Sequence, residues 1–268
     1  MAAKVDLYDS AYGNYEQDVY RQVRTETYGE DLGQTSWVTT EESNSIPKLL
    51  ELTAECRVLE IGCGSGRYAL RLAEKVGCQI TGLDLNSHGI RNANQLASQA
   101  GLTSIAKFEE CDVSGTLPFE NCSFDAVFSN DVLCHIPRRP AVLAEIYRVI
   151  KPGGVLLYSD ALVIGGLLSH EEIAARSSIG YYAFSPPGEN ERLLEAAGFR
   201  VKSTTETCDQ AAGIAKRWLA AREKAKDRLI TAEGLANYEG LQRFLACVHT
   251  LTSEKRLLRY VYLACKQA

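Results

Sequence analysis

The sequence has no run of about 20 apolar residues, the length a helix needs to cross the hydrocarbon layer of a membrane. Its most apolar passage, GGVLLYSDALVIGGLLSH, is interrupted by Asp160, and the opening MAAKVDLYDS lacks the apolar segment of a secretory signal. A cytoplasmic protein without a membrane partner is therefore expected. Positive charge is also short: 29 Lys and Arg against 34 Asp and Glu leave a net charge of -5. With no basic patch there is no electrostatic footing for nucleic acid, and a small molecule is the expected partner. The nine cysteines include no CxxC pair. Their odd number and scatter exclude a disulfide framework and the usual zinc spacing, so reduced thiols and no metal site are expected. No internal repeat or low-complexity segment is present.

What is present is alternation. From Arg57 to Ser159 short β-branched runs, CRVLEIG, CQITGLDL, AKFEECDV, FDAVFSN and GGVLLYSD, are separated by RYALRLAEKVG, SHGIRNANQLASQAG and RPAVLAEIYRVIKPGG. These separators place apolar residues every three to four positions and end at glycine, as helices do. The pattern is that of an α/β, Rossmann-like domain with a mostly parallel sheet flanked by helices. Residues 1–50, polar and rich in tyrosine, read as an N-terminal helical lid. The α/β domain then occupies 51–268, with cap insertions at about 161–188, where GG and SPPG break the alternation, and at 209–256. A lid and a dimer interface would look alike here, so monomer and homodimer both stay open.

The first strand runs into EIGCGSG at 60–66. A strand, a glycine turn and a helix bring backbone N–H groups and the positive end of a helix to a ligand. Gly62, Gly64 and Gly66 supply the turn, with Cys63 as a small filler. A dinucleotide fingerprint requires GxGxxG, whereas Arg67 stands at its last position and the spacing is GxGxG. Glu60, directly before the turn, suits an ammonium group better than a phosphate. Asp84 ends the second strand, where a carboxylate can take two ribose hydroxyls. Asp112 ends the third, beside Val113, an apolar wall for an adenine ring. Either acid could instead be an ordinary helix N-cap.

This order of glycine loop, acids ending strands two and three, FDAVFSN and the KPGG turn resembles the class I S-adenosylmethionine-dependent methyltransferases over residues 57–160. The resemblance implies a seven-stranded sheet with its last strand antiparallel, placed at RYVYLAC. It also implies S-adenosyl-L-methionine as cofactor and S-adenosyl-L-homocysteine as product. Leu85 and Asn130 join the implied cofactor set.

Methyl transfer from a sulfonium requires alignment, exclusion of water and removal of one proton. Candidates lie after strand four in SNDVLCHI, where Asp131 and His135 are four apart and would share a face in a helical turn. The spacing resembles that of phosphoethanolamine N-methyltransferases, which implies an acid on the cofactor and a histidine paired with an N-terminal tyrosine. NYEQDVYRQVRTETYGEDLGQ is similar to their N-terminal segment and puts Tyr15 in that place. In the following DLGQTSW, Gln34 and Ser36 suit polar contacts to the cofactor and Trp37 a wall. Arg176, Tyr181 and Tyr182 could hold a phosphate or a carboxylate of the acceptor. N-methylation of a small amine is the leading expectation. The alternatives are O- or C-methylation of a phenol, carboxylate or quinone-like ring, and a non-catalytic S-adenosylmethionine sensor.

Overall fold

The computed structural model describes residues 5–33 and 35–267. Seven strands form one sheet in the order β3-β2-β1-β4-β5-β7-β6: β1 Arg57–Ile61, β2 Gln79–Asp84, β3 Ala106–Glu110, β4 Phe124–Asn130, β5 Ile150–Ile164, β6 Phe199–Glu206 and β7 Leu257–Lys266. The first five are parallel neighbours. The last, β7, inserts antiparallel between β5 and β6, as expected. Central strands are apolar on both faces because helices cover both: Val58, Leu59, Ile61, Val127 and Phe128 are fully buried.

The crossover helices α4 Arg67–Val76, α5 Ser87–Gln99 and α6 Arg139–Val149 fall where the apolar periodicity places them. α5 begins at Asn86, whose side chain accepts from the Gly89 N–H at 3.0 Å and satisfies one of the free amides of the first turn. The strand β5 outruns the sequence expectation. Ala161, Leu162 and Val163 are buried, and Val163 and Ile164 pair with Leu258 and Leu257, so the excursion begins after residue 164. It carries α7 His170–Arg176, opened by a reciprocal cap between Ser169 and Glu172, and leads to α8 Glu189–Ala196 before β6.

The N-terminal helices α1 Tyr8–Gly13, α2 Asp18–Tyr28 and α3 Thr40–Leu49 do not stand apart from the segment after β6, which forms α9 Cys208–Lys224, α10 Lys226–Glu233 and α11 Leu235–Ser253. Val19, Tyr20 and Val23 of α2 share one apolar cluster with Ile214 and Trp218 of α9 and Leu241 and Phe244 of α11. The two stretches, distant in sequence, make a single helical layer. A buried ion pair between Arg222 and Glu233, with the Tyr20 hydroxyl donating to Glu233 at 2.9 Å, fastens it. No described helix is long and apolar enough to cross a membrane.

Candidate functional site

A cavity of about 900 Å³ opens at the carboxyl ends of β1, β2 and β4, bordered by residues of α1, by Leu32, Gly33 and residues 35–37, and by residues of α7 and α11. On one side lies the glycine turn. Gly62 and Cys63 donate their N–H groups to the Leu83 carbonyl, and Gly64 donates to Asp84 Oδ2 at 2.7 Å. The Asn86 N–H reaches Asp84 Oδ1 at 2.8 Å. Asn86, not Asp84, is the helix cap, so Asp84 keeps its remaining lone pairs for the cavity it lines. Burial raises its carboxyl above the usual range, partly offset by those two amides and that of Leu85. Gly64 sits at φ +52°, and a Cβ there would come within 2.2 Å of the Tyr12 hydroxyl, so the ring of Tyr12 rests on the turn only because a side chain is missing.

Asp112 accepts from the Ser114 N–H at 2.9 Å, which holds its carboxyl below the ordinary value. Leu85, 69% exposed, and Val113, the residues directly after the two acids, both line the cavity. Asn130 lines the floor with its Nδ2 buried and unpartnered. Cys63 and Ser36 also line it, the latter sharing a 3.2 Å hydrogen bond with the Tyr68 hydroxyl. Glu60 is different. Its side chain is buried beneath the turn against the Ala69 amide, one oxygen is unpartnered, and it does not border the cavity. Burial, then the charge of Asp84, pushes its carboxyl well above the usual range. Val58, two residues before it, packs with Ala69 and Leu72 of α4 while Leu59 and Ile61 join the core on the other face, so the alternation of β1 turns Glu60 toward α4. Gln34 lies outside the described residues.

On the other side stands His135. Its Nε2 is 2.9 Å from the Tyr8 hydroxyl and its Nδ1 3.2 Å from the Tyr181 carbonyl. That carbonyl can only accept, which puts the ring proton on Nδ1 and leaves Nε2 to accept from Tyr8. Burial, then the charge of Arg176, lowers the imidazole pKa to about 4, so the ring is neutral at physiological pH.

Two expectations need correction here. The hydroxyl on His135 belongs to Tyr8, not Tyr15. Tyr15 lies in the turn after α1, its ring under the Arg24 guanidinium at 4.3 Å, away from the main cavity. Tyr8 and Tyr12, four apart on α1, share one face and reach His135 and the glycine turn respectively. That spacing was the available clue. Nor does Asp131 orient His135. It sits at φ +59° before a 3-10 turn, Leu133–His135, instead of within an α-helix. Its carboxylate accepts from the Trp37 N–H at 2.9 Å, the Ser159 hydroxyl at 2.8 Å and Arg259 Nε at 2.9 Å.

Arg259 escaped sequence reading. Fully buried on β7, it also pairs with Glu42 of α3 through two hydrogen bonds at 3.0 and 2.9 Å and donates to the Thr207 hydroxyl at 2.7 Å. It therefore ties α3, and with it the Trp37 segment, to the end of β4. An arginine set among apolar and tyrosine residues in LLRYVYLACK was the sign.

Arg176, Tyr182 and Trp37 do converge. Arg176 is 1% exposed, with its guanidinium 4.4 Å from the Tyr182 ring, 5.2 Å from Phe244 and 5.9 Å from Trp37. Its Nε and Nη1 have no hydrogen-bond partner, and among the described residues no carboxylate pairs with it. The Tyr182 ring packs against that of His135, centroids 4.3 Å apart and planes tilted by 37°. Tyr181 contributes its carbonyl to His135 while its side chain is half exposed at the cavity edge.

Comparison with known proteins adds to this geometry. A family model described as a methyltransferase domain matches residues 59–158. The chain is 28% identical over 232 residues to 27-O-demethylrifamycin SV methyltransferase of Amycolatopsis mediterranei, a match spanning 81% of this chain and 85% of that protein. It is 30% identical over 193 residues to a phosphoethanolamine N-methyltransferase of Triticum aestivum, covering 72% of this chain but only 37% of the wheat protein. Among solved structures, phosphoethanolamine N-methyltransferase 2 of Haemonchus contortus, complexed with phosphomonomethylethanolamine and S-adenosylhomocysteine, superposes with a TM-score of 0.81. At 21% identity, over 97% of this chain and 60% of that one, this likeness is one of fold.

Proposed function

Because this chain is a class I S-adenosylmethionine-dependent methyltransferase, an enzyme whose cofactor is S-adenosyl-L-methionine, we propose that it methylates a small acceptor carrying an anionic group, at an amine nitrogen. One observation supports the reading above others: Arg176, buried, cationic and without an acidic partner among the described residues, faces the same cavity as His135 and Tyr8. A buried charge left unpaired is costly by several kcal/mol, and a bound phosphate or carboxylate would offset it with the bidentate geometry that arginine favours.

The remaining residues suit the cofactor. Asp84 presents acceptor lone pairs for ribose hydroxyls, Leu85 and Val113 offer apolar faces for the adenine, and Asn130 Nδ2 offers an unpaired donor. When bound, S-adenosylmethionine supplies a methyl on a sulfonium, whose carbon–sulfur bond breaks as the carbon–nitrogen bond forms. The chain's own residues handle the rest. Arg176 and His135 fix the acceptor between them, and the charge of Arg176 disfavours a protonated amine beside it, so the nitrogen attacks as a free base. The proton released from nitrogen passes to the Tyr8 oxygen while Tyr8 gives its own to His135 Nε2. Tyr8, Trp37 and the helical layer exclude water from this space.

Oxygen as the acceptor atom is the second reading. It is favoured by the extent of the match to 27-O-demethylrifamycin SV methyltransferase, which takes in most of both chains. The two are separated by incubating purified protein with S-adenosylmethionine and amino acids, anionic amines, phenols and carboxylic acids. S-adenosylhomocysteine release is followed and the methylated atom identified by NMR. Turnover should need an anionic group, and Arg176→Met should raise the acceptor KM at least tenfold without changing cofactor affinity. Equal turnover of uncharged acceptors, or an unchanged KM in the variant, would overturn the role of Arg176.

A further inference from the structure

We infer that the acceptor is an amphipathic anion about as large as the cofactor itself, an aromatic or polycyclic scaffold bearing one anionic group, and not a compact metabolite. The inference rests on the methyltransferase reading and on the anion-holding role given to Arg176. S-adenosylmethionine has about 27 non-hydrogen atoms and, packed at the density of a protein interior, takes on the order of 450 Å³. The cavity measures about 900 Å³, so roughly half of it lies beyond the cofactor's needs. That remainder accommodates about 27 non-hydrogen atoms at the same density. An amino acid or a phosphorylated ethanolamine would leave most of it unfilled, and a bulky scaffold would use it.

The walls agree with the volume. Beyond the ends of β1 and β2, the cavity is bounded by Val5, Leu7, Trp37, Ala161, Ile179 and Phe244, all buried and apolar. The polar groups in this part are Arg176, with the hydroxyls of Tyr8 and Tyr182 and the ring of His135 beside it, and the carboxylates of Asp6 and Asp131, the latter already paired with Arg259. A site for a compact, highly charged molecule would need polar partners on several sides. Here Arg176, without a carboxylate partner among the described residues, stands beside one continuous apolar wall, the pattern that orients a largely apolar ligand by one fixed polar contact.

The test uses 1-anilinonaphthalene-8-sulfonate, a fluorescent amphipathic anion with about 21 non-hydrogen atoms, within the inferred size. It is titrated into the full chain saturated with S-adenosylhomocysteine. One dye per chain should bind with enhanced emission in the presence of the product. Arg176→Met should weaken that binding at least tenfold, and Ala161→Phe, which fills the chamber, should do the same while S-adenosylhomocysteine still binds. Glycine or phosphoethanolamine at millimolar concentration should not displace the dye. Displacement of the dye by S-adenosylhomocysteine would show that no such space exists beside the cofactor. Binding indifferent to both variants, or competition by the compact anions, would equally overturn the inference. Loss of the methyltransferase reading would show separately, as failure of the wild-type chain to bind S-adenosylmethionine in a calorimeter.

Discussion

Arg259→Met is the most informative single change outside the cavity. The arginine is fully buried and holds two carboxylates, Asp131, whose side chain is 6% exposed, and Glu42, 17% exposed. Methionine roughly keeps its volume, so the perturbation is electrostatic more than steric. Removing one partner of a buried ion pair typically costs about 3–5 kcal/mol, because the remaining charge stays buried. Glu42 can regain some water and Asp131 keeps the Trp37 amide and the Ser159 hydroxyl, which places the expected loss near 4 kcal/mol. For a chain of this size each kcal/mol moves the melting temperature by about 2–4 °C, so a fall of about 10 °C is expected. Urea unfolding followed by tryptophan fluorescence measures it directly, since Trp37 and Trp218, the two tryptophans of the chain, lie 5.9 Å apart beside this network. In an Asp131→Asn background the same substitution should cost at least 1 kcal/mol less, the signature of direct coupling. A melting point within about 2 °C of wild type, or equal losses in both backgrounds, would refute the idea that Arg259 binds the Trp37 segment to the sheet.

Two further outcomes can be checked at the site. His135, with its pKa lowered to about 4, should give a kcat/KM profile with no enzyme-side inflection near 6.5. Since the folded state holds this proton less tightly than the unfolded chain, its contribution to stability is present above about 6.5 and is lost as pH falls toward 4. An NMR titration showing an imidazole pKa near 6.5 would contradict the buried pairing with Tyr8 and Tyr181. Asp84→Ala should weaken S-adenosylmethionine binding at least tenfold with the fold intact, as read by calorimetry, and an unchanged affinity would show that the ribose lies elsewhere.

The sheet and the glycine turn were legible in the chain because both depend on local rules. Runs such as RVLEI and FDAVFSN can only be strands buried on two faces, and a strand-glycine-helix junction needs residues that tolerate positive φ. Asp84 and Asp112 likewise owe their place at the cavity to their position at strand ends. Glu60 lies within β1, one residue before its end, and the alternation of the strand turns it toward α4 and out of the cavity lining, a choice a motif does not reveal.

By itself the sequence determined the order of strands and helices, the turn, and the presence of an acid and a histidine after β4. Only the tertiary structure decided who touches whom. Which tyrosine meets His135 depends on how α1 lies across the sheet, and that was settled by an apolar cluster shared with helices some 200 residues away. The same packing closed the chamber around Arg176 and handed Asp131 to Arg259 instead of to the histidine. Contacts of that kind cost the same backbone ordering whatever their sequence separation, and their partners carry no local pattern, so they are fixed by burial and charge pairing when the layers meet.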